Sequence, residues 1–342
     1  MEKHRARYYR SDGEDVLCLL CPQGCRLKEA ELGACGTRKA ESGELTALNY
    51  ARCCSMAMDP MEKKPLYHFY PGWKILSVGA FGCNLHCTYC QNWILARGGP
   101  DLDYREITPG MLENILSASP AREKLGVAYT YNEPGVWYEF VFDTARHLQT
   151  KGFKNILVTN GYLSPAPLAE LLPFIDAMNI DVKSFSDSFY RRLCRGKGLR
   201  EVLRTVEQAL PVCHVELTYL VINTVNDSPE ELRGFVDWVA SLDKEIPVHF
   251  TRYFPAYRME IPATPLPVME RAWEIGAEKL SYVYLGNIPD RERSTTYCPQ
   301  CRTALIKRTG SEVNNAGLQG TRCRKCGTAI RLSGNIYGES FS

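Results

Sequence analysis

The chain has 342 residues, with 41 Lys and Arg against 39 Asp and Glu, a net charge of +2, and 45% apolar residues. This is the make-up of an ordinary globular protein, which sets aside collagen, coiled coil, intrinsic disorder and a basic protein dedicated to polyanions. The longest apolar stretch, around Leu171 to Ile180, is broken by Pro173 and Asp176, short of the roughly 20 residues a membrane span needs. The charged start MEKHRARYYR has no apolar signal region, so a cytoplasmic protein with no membrane partner is expected.

In chain order, residues 1–72 show little periodicity and form a cysteine-rich N-terminal cap holding Cys18, Cys21, Cys25 and Cys35. From Lys74 the pattern changes. Short runs rich in β-branched and aromatic residues predict strands over 75–80, 126–130, 155–159, 177–182, 214–222, 247–253 and 282–285. Amphipathic stretches predict helices between them, over 111–117, 136–151, 165–173, 199–210, 229–242 and 269–279. The fifth of these begins Asp227-Ser228-Pro229-Glu230-Glu231, with capping candidates, a first-turn proline and acids at the positive end of the dipole. Repeated strand–helix alternation implies parallel strands with right-handed crossovers, and the count favours a barrel, complete or partial, over residues 73–288. Residues 289–342 break the alternation, are net basic and read as a separate small module.

Fifteen cysteines in a chain with no secretory signal point to metal or chemistry rather than disulfides. Eleven fall into three clusters. Of the rest, Cys194 and Cys213 read as buried small hydrophobes. The central cluster, Cys83, Cys87 and Cys90, has the spacing C-x3-C-x2-C directly after the first parallel strand, at the end of the sheet where active sites collect. Three thiolates on a four-iron cubane leave one iron open to a small molecule. The competing reading is a structural zinc site with His86 as fourth ligand. At the C-terminus, Cys298-x2-Cys301 and Cys323-x2-Cys326 make two knuckles 21 residues apart, suited to tetrahedral four-sulfur ligation of zinc or of rubredoxin-like iron. At the N-terminus, four cysteines within 18 residues, beside Gly24, Gly33 and Gly36, suggest a second four-sulfur site. Zinc and an auxiliary iron–sulfur cluster both fit there, and the spacing does not decide.

The central motif, with Tyr89 before its last cysteine, resembles the signature of the radical S-adenosylmethionine superfamily. The resemblance implies a partial (βα)6-type TIM-like barrel carrying a 4Fe–4S cluster on Cys83, Cys87 and Cys90. Its open iron chelates the amino and carboxylate groups of S-adenosylmethionine, and one-electron reduction yields a 5′-deoxyadenosyl radical. Thr130-Tyr131-Asn132-Glu133-Pro134 resembles the family's Gly-Gly-Glu-Pro segment, with Tyr131 and Asn132 where two glycines are usual; Asn132 and Glu133 are thereby candidates for the methionine amino group. Thr159-Asn160-Gly161 and Asp181-Val182-Lys183 resemble segments of the pyruvate formate-lyase activase-like branch, so Thr159, Asn160, Asp181 and Lys183 are implied cofactor contacts. Strand alternation puts Asp181 and Lys183 on one face. Val221 falls in a strand end similar to that bordering the adenine. His249 and Arg252 on the sixth strand have opposite parity, so a regular strand aims only one inward; cofactor contact and a structural role are open for both.

Gly33, Cys35, Gly36 and Arg38, then Met61-Glu62-Lys63-Lys64-Pro65-Leu66-Tyr67-His68-Phe69, then Cys90-Gln91-Asn92-Trp93 extend the likeness over nearly the whole chain. They are similar to the AmmeMemoRadiSam system radical S-adenosylmethionine enzymes. That resemblance implies Memo-like and AMMECR-like protein partners and a one-electron donor such as ferredoxin or flavodoxin. It supplies no substrate. A glycyl-radical enzyme activase and a non-catalytic metal-binding scaffold are the alternatives.

Overall fold

A computed structural model describes residues 4–310 and 312–338. The outermost residues of the expected cap and C-terminal module (1–3 and 339–342) lie outside the described residues, as does Ser311.

Eight strands form the central sheet: β1 (Ser55–Pro60), β2 (Lys74–Gly79), β3 (Gly126–Tyr129), β4 (Lys154–Thr159), β5 (Ala177–Asp181), β6 (His214–Val221), β7 (Val248–Arg252) and β8 (Val283–Gly286). They lie side by side in chain order; β1 pairs antiparallel with β2, and β2 to β8 are all parallel. A doubly wound sheet would reverse its order at a switch point; this one does not, and among the described residues its outer strands do not meet. It is an α/β partial barrel. The seven parallel strands are the seven that the sequence predicts.

Helices α1 (Trp93–Arg97), α2 (Pro109–Ala118), α3 (Tyr138–Thr150), α4 (Pro165–Leu171), α5 (Asp187–Leu193), α6 (Arg200–Ala209), α7 (Pro229–Leu242) and α8 (Leu266–Ala277) fill the crossovers. The expected start of α7 is present: the Ser228 side chain accepts from the Glu231 amide, with Pro229 in the first turn. Sequence periodicity misses α5 and also α1, which at five residues is too short to display a helical repeat.

It also misses β1. Its sequence, SMAMDP, is half-buried except at the exposed Ala57 and ends in proline, which a sheet edge tolerates because no neighbour there needs the missing donor. The segment just after β1 closes the floor of the barrel. Met61, Leu66 and Phe69 are buried against Ile75, Leu125, Ala128, Ile156 and Ala177, and each large side chain removed from water contributes about 1.5–3 kcal/mol. At the other end of the sheet, Tyr282 and Tyr284 pack with Leu305, Ile306, Leu318 and Ile330 of the C-terminal module. Tyr70 and Ser333 form a backbone hydrogen bond of 2.8 Å that ties floor and module together. No helix among the described residues is long and apolar enough to cross a membrane.

Candidate active site at the mouth of the barrel

The loop after β2 descends from Gly82 to Cys90 over the C-terminal ends of the strands. Gly82 has φ +93°, and a Cβ there would lie 2.2 Å from Thr37 and 2.7 Å from the Cys35 carbonyl. Only glycine permits the cap to approach this closely. Three further side chains shape the loop. Asn132 accepts from the Ala80 amide (3.0 Å) and donates to the Phe81 and Gly82 carbonyls (3.2 and 3.1 Å). Arg97 of α1 donates to the Cys83 and Leu85 carbonyls at 2.8 and 2.9 Å. Asn84 donates to the Tyr162 carbonyl and accepts from Asn160 Nδ2 at 2.9 Å.

One cavity opens on this loop. It brings together Cys83, Cys87, Tyr89, Cys90, Asn132, Glu133, Thr159, Asn160, Asp181 and Lys183, all expected from the sequence. Arg97, Thr218, Leu220 and Thr251 also line it, and sequence reasoning did not single them out for this site. For Thr218, Leu220 and Thr251 the available signal was strand parity.

Val221, His249 and Arg252 do not line it, for two different reasons. Residues Glu216, Thr218 and Leu220 share the inner face of β6 by alternation, so Val221 faces outward; it is fully buried there. On β7 the inner face holds His249 and Thr251. Thr251 reaches the cavity, whereas His249 sits two residues, about 6–7 Å, deeper, with Nε2 2.6 Å from Glu216 Oε2. Arg252 has the outward parity and donates from Nε to the Thr264 carbonyl at 2.7 Å.

Glu133 is 3% exposed. Its Oε1 accepts from the Gly135 amide (2.8 Å) and Thr159 Oγ1 (2.7 Å), and its Oε2 from the Asn160 amide (2.8 Å). A carboxylate has about four acceptor sites, and three are used. Burial raises its pKa, against the pull of these hydrogen bonds. Tyr131, where glycine is usual, has φ +73°. It keeps the glycine-like backbone at a cost of order 1–3 kcal/mol, and its hydroxyl bonds to Asp59 at 2.8 Å with the Lys64 ammonium 5.1 Å over its ring. Lys183 Nζ pairs with Asp181 Oδ2 at 2.9 Å. Burial disfavours the ammonium, but Asp181 and neighbouring thiols raise its pKa overall.

The donor set suits an iron–sulfur cubane with a small-molecule ligand. Three thiols face one cavity, the fourth side is lined by polar groups, and the His86 imidazole is turned away, with Nε2 2.7 Å from the Ala34 carbonyl. Cys194 is fully buried behind the loop, its thiol 3.3 Å from Tyr89 Oη, and does not line the cavity. Away from the barrel, the sulfurs of Cys298, Cys301, Cys323 and Cys326 lie within 4.8 Å of one another, close enough to hold one metal ion.

Residues 78–238 match the Radical SAM superfamily. Over 332 residues the chain is 40% identical to an uncharacterized protein of Methanocaldococcus jannaschii, covering 95% of this chain and 98% of that one. It is 32% identical over 181 residues to a GTP 3′,8-cyclase of Alkaliphilus oremlandii, covering 51% of this chain and 53% of the cyclase. It is 25% identical over 134 residues to an isethionate sulfite-lyase activating enzyme of Oleidesulfovibrio alaskensis, covering 38% and 43% of the two chains. Residues 78–238 are a domain of the radical SAM superfamily, and the chain is a radical SAM enzyme. Membership implies a 4Fe–4S cluster and S-adenosylmethionine.

Proposed function

We propose that Cys83, Cys87 and Cys90 hold the 4Fe–4S cluster, and that Glu133, Asn160, Asp181 and Lys183 hold S-adenosylmethionine for hydrogen abstraction from a further substrate. The observation that carries this reading is the convergence of three thiols, an incompletely satisfied buried carboxylate and the Asp181–Lys183 pair on one cavity. A bound cluster supplies the electron that cleaves the sulfonium and releases the 5′-deoxyadenosyl radical. The protein's own groups do the positioning. The remaining acceptor site of Glu133 suits an ammonium, Lys183 suits a carboxylate, and Asp181 suits ribose hydroxyls. Asn160 Nδ2, 3.6 Å from Cys83 Sγ, donates toward the sulfur, and Val158 with Leu220 gives an apolar wall for the adenine. A one-electron donor of the ferredoxin or flavodoxin class supplies the electron. The C-terminal module holds one structural metal, zinc in this reading. The cap, barrel and ribbon act as three units, with the AmmeMemoRadiSam-type partners as candidate associates.

The similarity to an isethionate sulfite-lyase activating enzyme supports a second reading, a glycyl-radical enzyme activase whose substrate is a glycine of a partner protein. Anaerobic incubation with dithionite and S-adenosylmethionine tests the primary reading. The parent should form 5′-deoxyadenosine, and Cys87→Ala should form none above background; equal yields would overturn the assignment. Deuterium transfer from a labelled partner glycine into 5′-deoxyadenosine separates the second reading from the first.

A further inference from the structure

We propose that Cys18, Cys21, Cys25 and Cys35 hold a second 4Fe–4S cluster, which passes single electrons from an external donor protein to the cluster on Cys83, Cys87 and Cys90. The proposal rests on the reading of that central triad given above.

Four observations carry it. The first is the fold of the cap. Two tight turns present the cysteines: Gly24 (φ +55°) donates back to the Cys21 carbonyl at 3.1 Å, and Gly36 (φ +73°) to the Gly33 carbonyl at 2.9 Å. The Cys18 amide donates to the Cys25 carbonyl at 2.9 Å, and the Ala34 amide lies 3.4 Å from Cys25 Sγ. All four thiols lie within electrostatic range of one another, with Cys18 and Cys21 buried.

The second is spacing. Sulfurs on one tetrahedral zinc stand about 3.8 Å apart, given a Zn–S bond near 2.3 Å. The ribbon matches this, with Cys298 and Cys326 sulfurs at 3.5 Å and Cys301 and Cys323 at 3.6 Å. Among the described residues no other three candidate ligands gather within 4.8 Å of one another, neither the N-terminal set nor the central triad. Thiolates on separate corners of a cubane stand farther apart than thiolates on one ion. Neither the N-terminal set nor the triad is drawn together as tightly as the ribbon, which leaves room at both for a cluster larger than one ion.

The third is charge. A cubane with four thiolates is anionic, and burying it calls for nearby cations. Arg38 is 1% exposed and within electrostatic range of Cys18 and Cys35. It pairs with Glu139, yet its Nε is buried with no hydrogen-bond partner among the described residues. Lys197 stands near Cys25.

The fourth is position. The Cys83 amide donates to the Cys35 carbonyl at 3.3 Å, and Gln23 Nε2 donates to the Asn84 carbonyl at 2.8 Å. The two cysteine sets thus sit on either side of one hydrogen bond. None of the four N-terminal cysteines lines the cavity, so a cluster there touches neither S-adenosylmethionine nor substrate. Its place suits electron delivery. In each transfer the donor loses one electron, the second cluster takes it and hands it to the first, and no bond or proton changes partner.

Iron and acid-labile sulfide, counted on anaerobically reconstituted protein, test the proposal. The parent should hold about eight sulfides, and Cys83→Ala/Cys87→Ala/Cys90→Ala about four, each cubane carrying four. A ribbon metal adds no sulfide. Zinc in place of sulfide in that triple variant would overturn the proposal, and this measurement stands even if the cap variant does not fold. Cys21→Ala/Cys25→Ala should lose about four sulfides and keep the S-adenosylmethionine-responsive spin-resonance signal. In that variant the ratio of flavodoxin-driven to dithionite-driven S-adenosylmethionine cleavage should fall by about an order of magnitude; an unchanged ratio would refute the relay. Failure of the triad reading looks different, because the triple variant would then keep the S-adenosylmethionine-responsive signal.

Discussion

The mouth and the floor of the barrel each bury a glutamate, and the two are satisfied differently. At the floor, Glu216 accepts at both oxygens twice: from the His68 amide (2.7 Å) and the Tyr67 amide (3.0 Å), with His214 Nε2 at 3.0 Å and His249 Nε2 at 2.6 Å. Its acceptor sites are full. Burial would raise its pKa, but His214 and His249 hold it well below the ordinary carboxylate range. At the mouth, Glu133 has three partners, and its pKa is raised. A saturated carboxylate fastens the chain to itself; one with a site left over faces a cavity and is free to take a ligand.

The comparison breaks most visibly at Glu216. Removing one partner of a buried ionic network costs about 3–5 kcal/mol, so Glu216→Ala should lower the denaturation midpoint sharply and loosen the 61–70 segment in hydrogen exchange. A midpoint near that of the parent would mean that the floor is not fastened there.

Acid should loosen the same floor. Burial depresses the His68 pKa to about 4, with Glu216 opposing. Above an unfolded value of about 6.5 the imidazole is neutral in both states and contributes nothing. As pH falls from there toward 4, the unfolded chain binds a proton that the folded chain refuses, and stability drops by on the order of 3 kcal/mol. Unfolding followed across this range should show a weaker pH slope for His68→Gln than for the parent. Equal slopes would place the acid sensitivity elsewhere.

Glu133→Ala sharpens the comparison from the other side. Misplacing a bound ligand by about 1 Å costs about a hundredfold in rate. The variant should therefore cleave S-adenosylmethionine roughly that much more slowly while keeping its iron and labile sulfide. Unchanged cleavage would remove Glu133 from the cofactor site. The smallest effect is expected at Asp181, whose side chain is 36% exposed and paired with Lys183. A partly solvated pair contributes up to about 1 kcal/mol, so Asp181→Asn should weaken S-adenosylmethionine binding by only a few-fold. A loss as large as that of Glu133→Ala would show that Asp181 carries more of the binding than its exposure implies.

The parallel strands were legible in the sequence because each is a short run of β-branched and aromatic residues buried on both faces. β1 was not, since an edge strand is half-wet and carries no such run. At the site, the three cysteines and the Thr-Asn-Gly and Asp-x-Lys segments announce themselves locally. Arg97 does not, because its work is to hold two carbonyls of a loop that precedes it. His249 shows the limit most clearly. Parity separates it from Arg252 without saying which of the two turns inward, and depth along the barrel axis, which separates a floor residue from a mouth residue, depends on register between strands. Tyr131 shows the converse: its side chain departs from the expected glycine while its backbone keeps the glycine conformation.

The central claim is that the three cysteines at the mouth carry the cluster that S-adenosylmethionine engages. Electron spin resonance of the dithionite-reduced protein, with and without S-adenosylmethionine, tests it most directly. The parent should show a cluster signal that changes on adding S-adenosylmethionine, and the Cys83→Ala/Cys87→Ala/Cys90→Ala variant should lose that responsive signal. A responsive signal that survives the triple substitution would contradict the account.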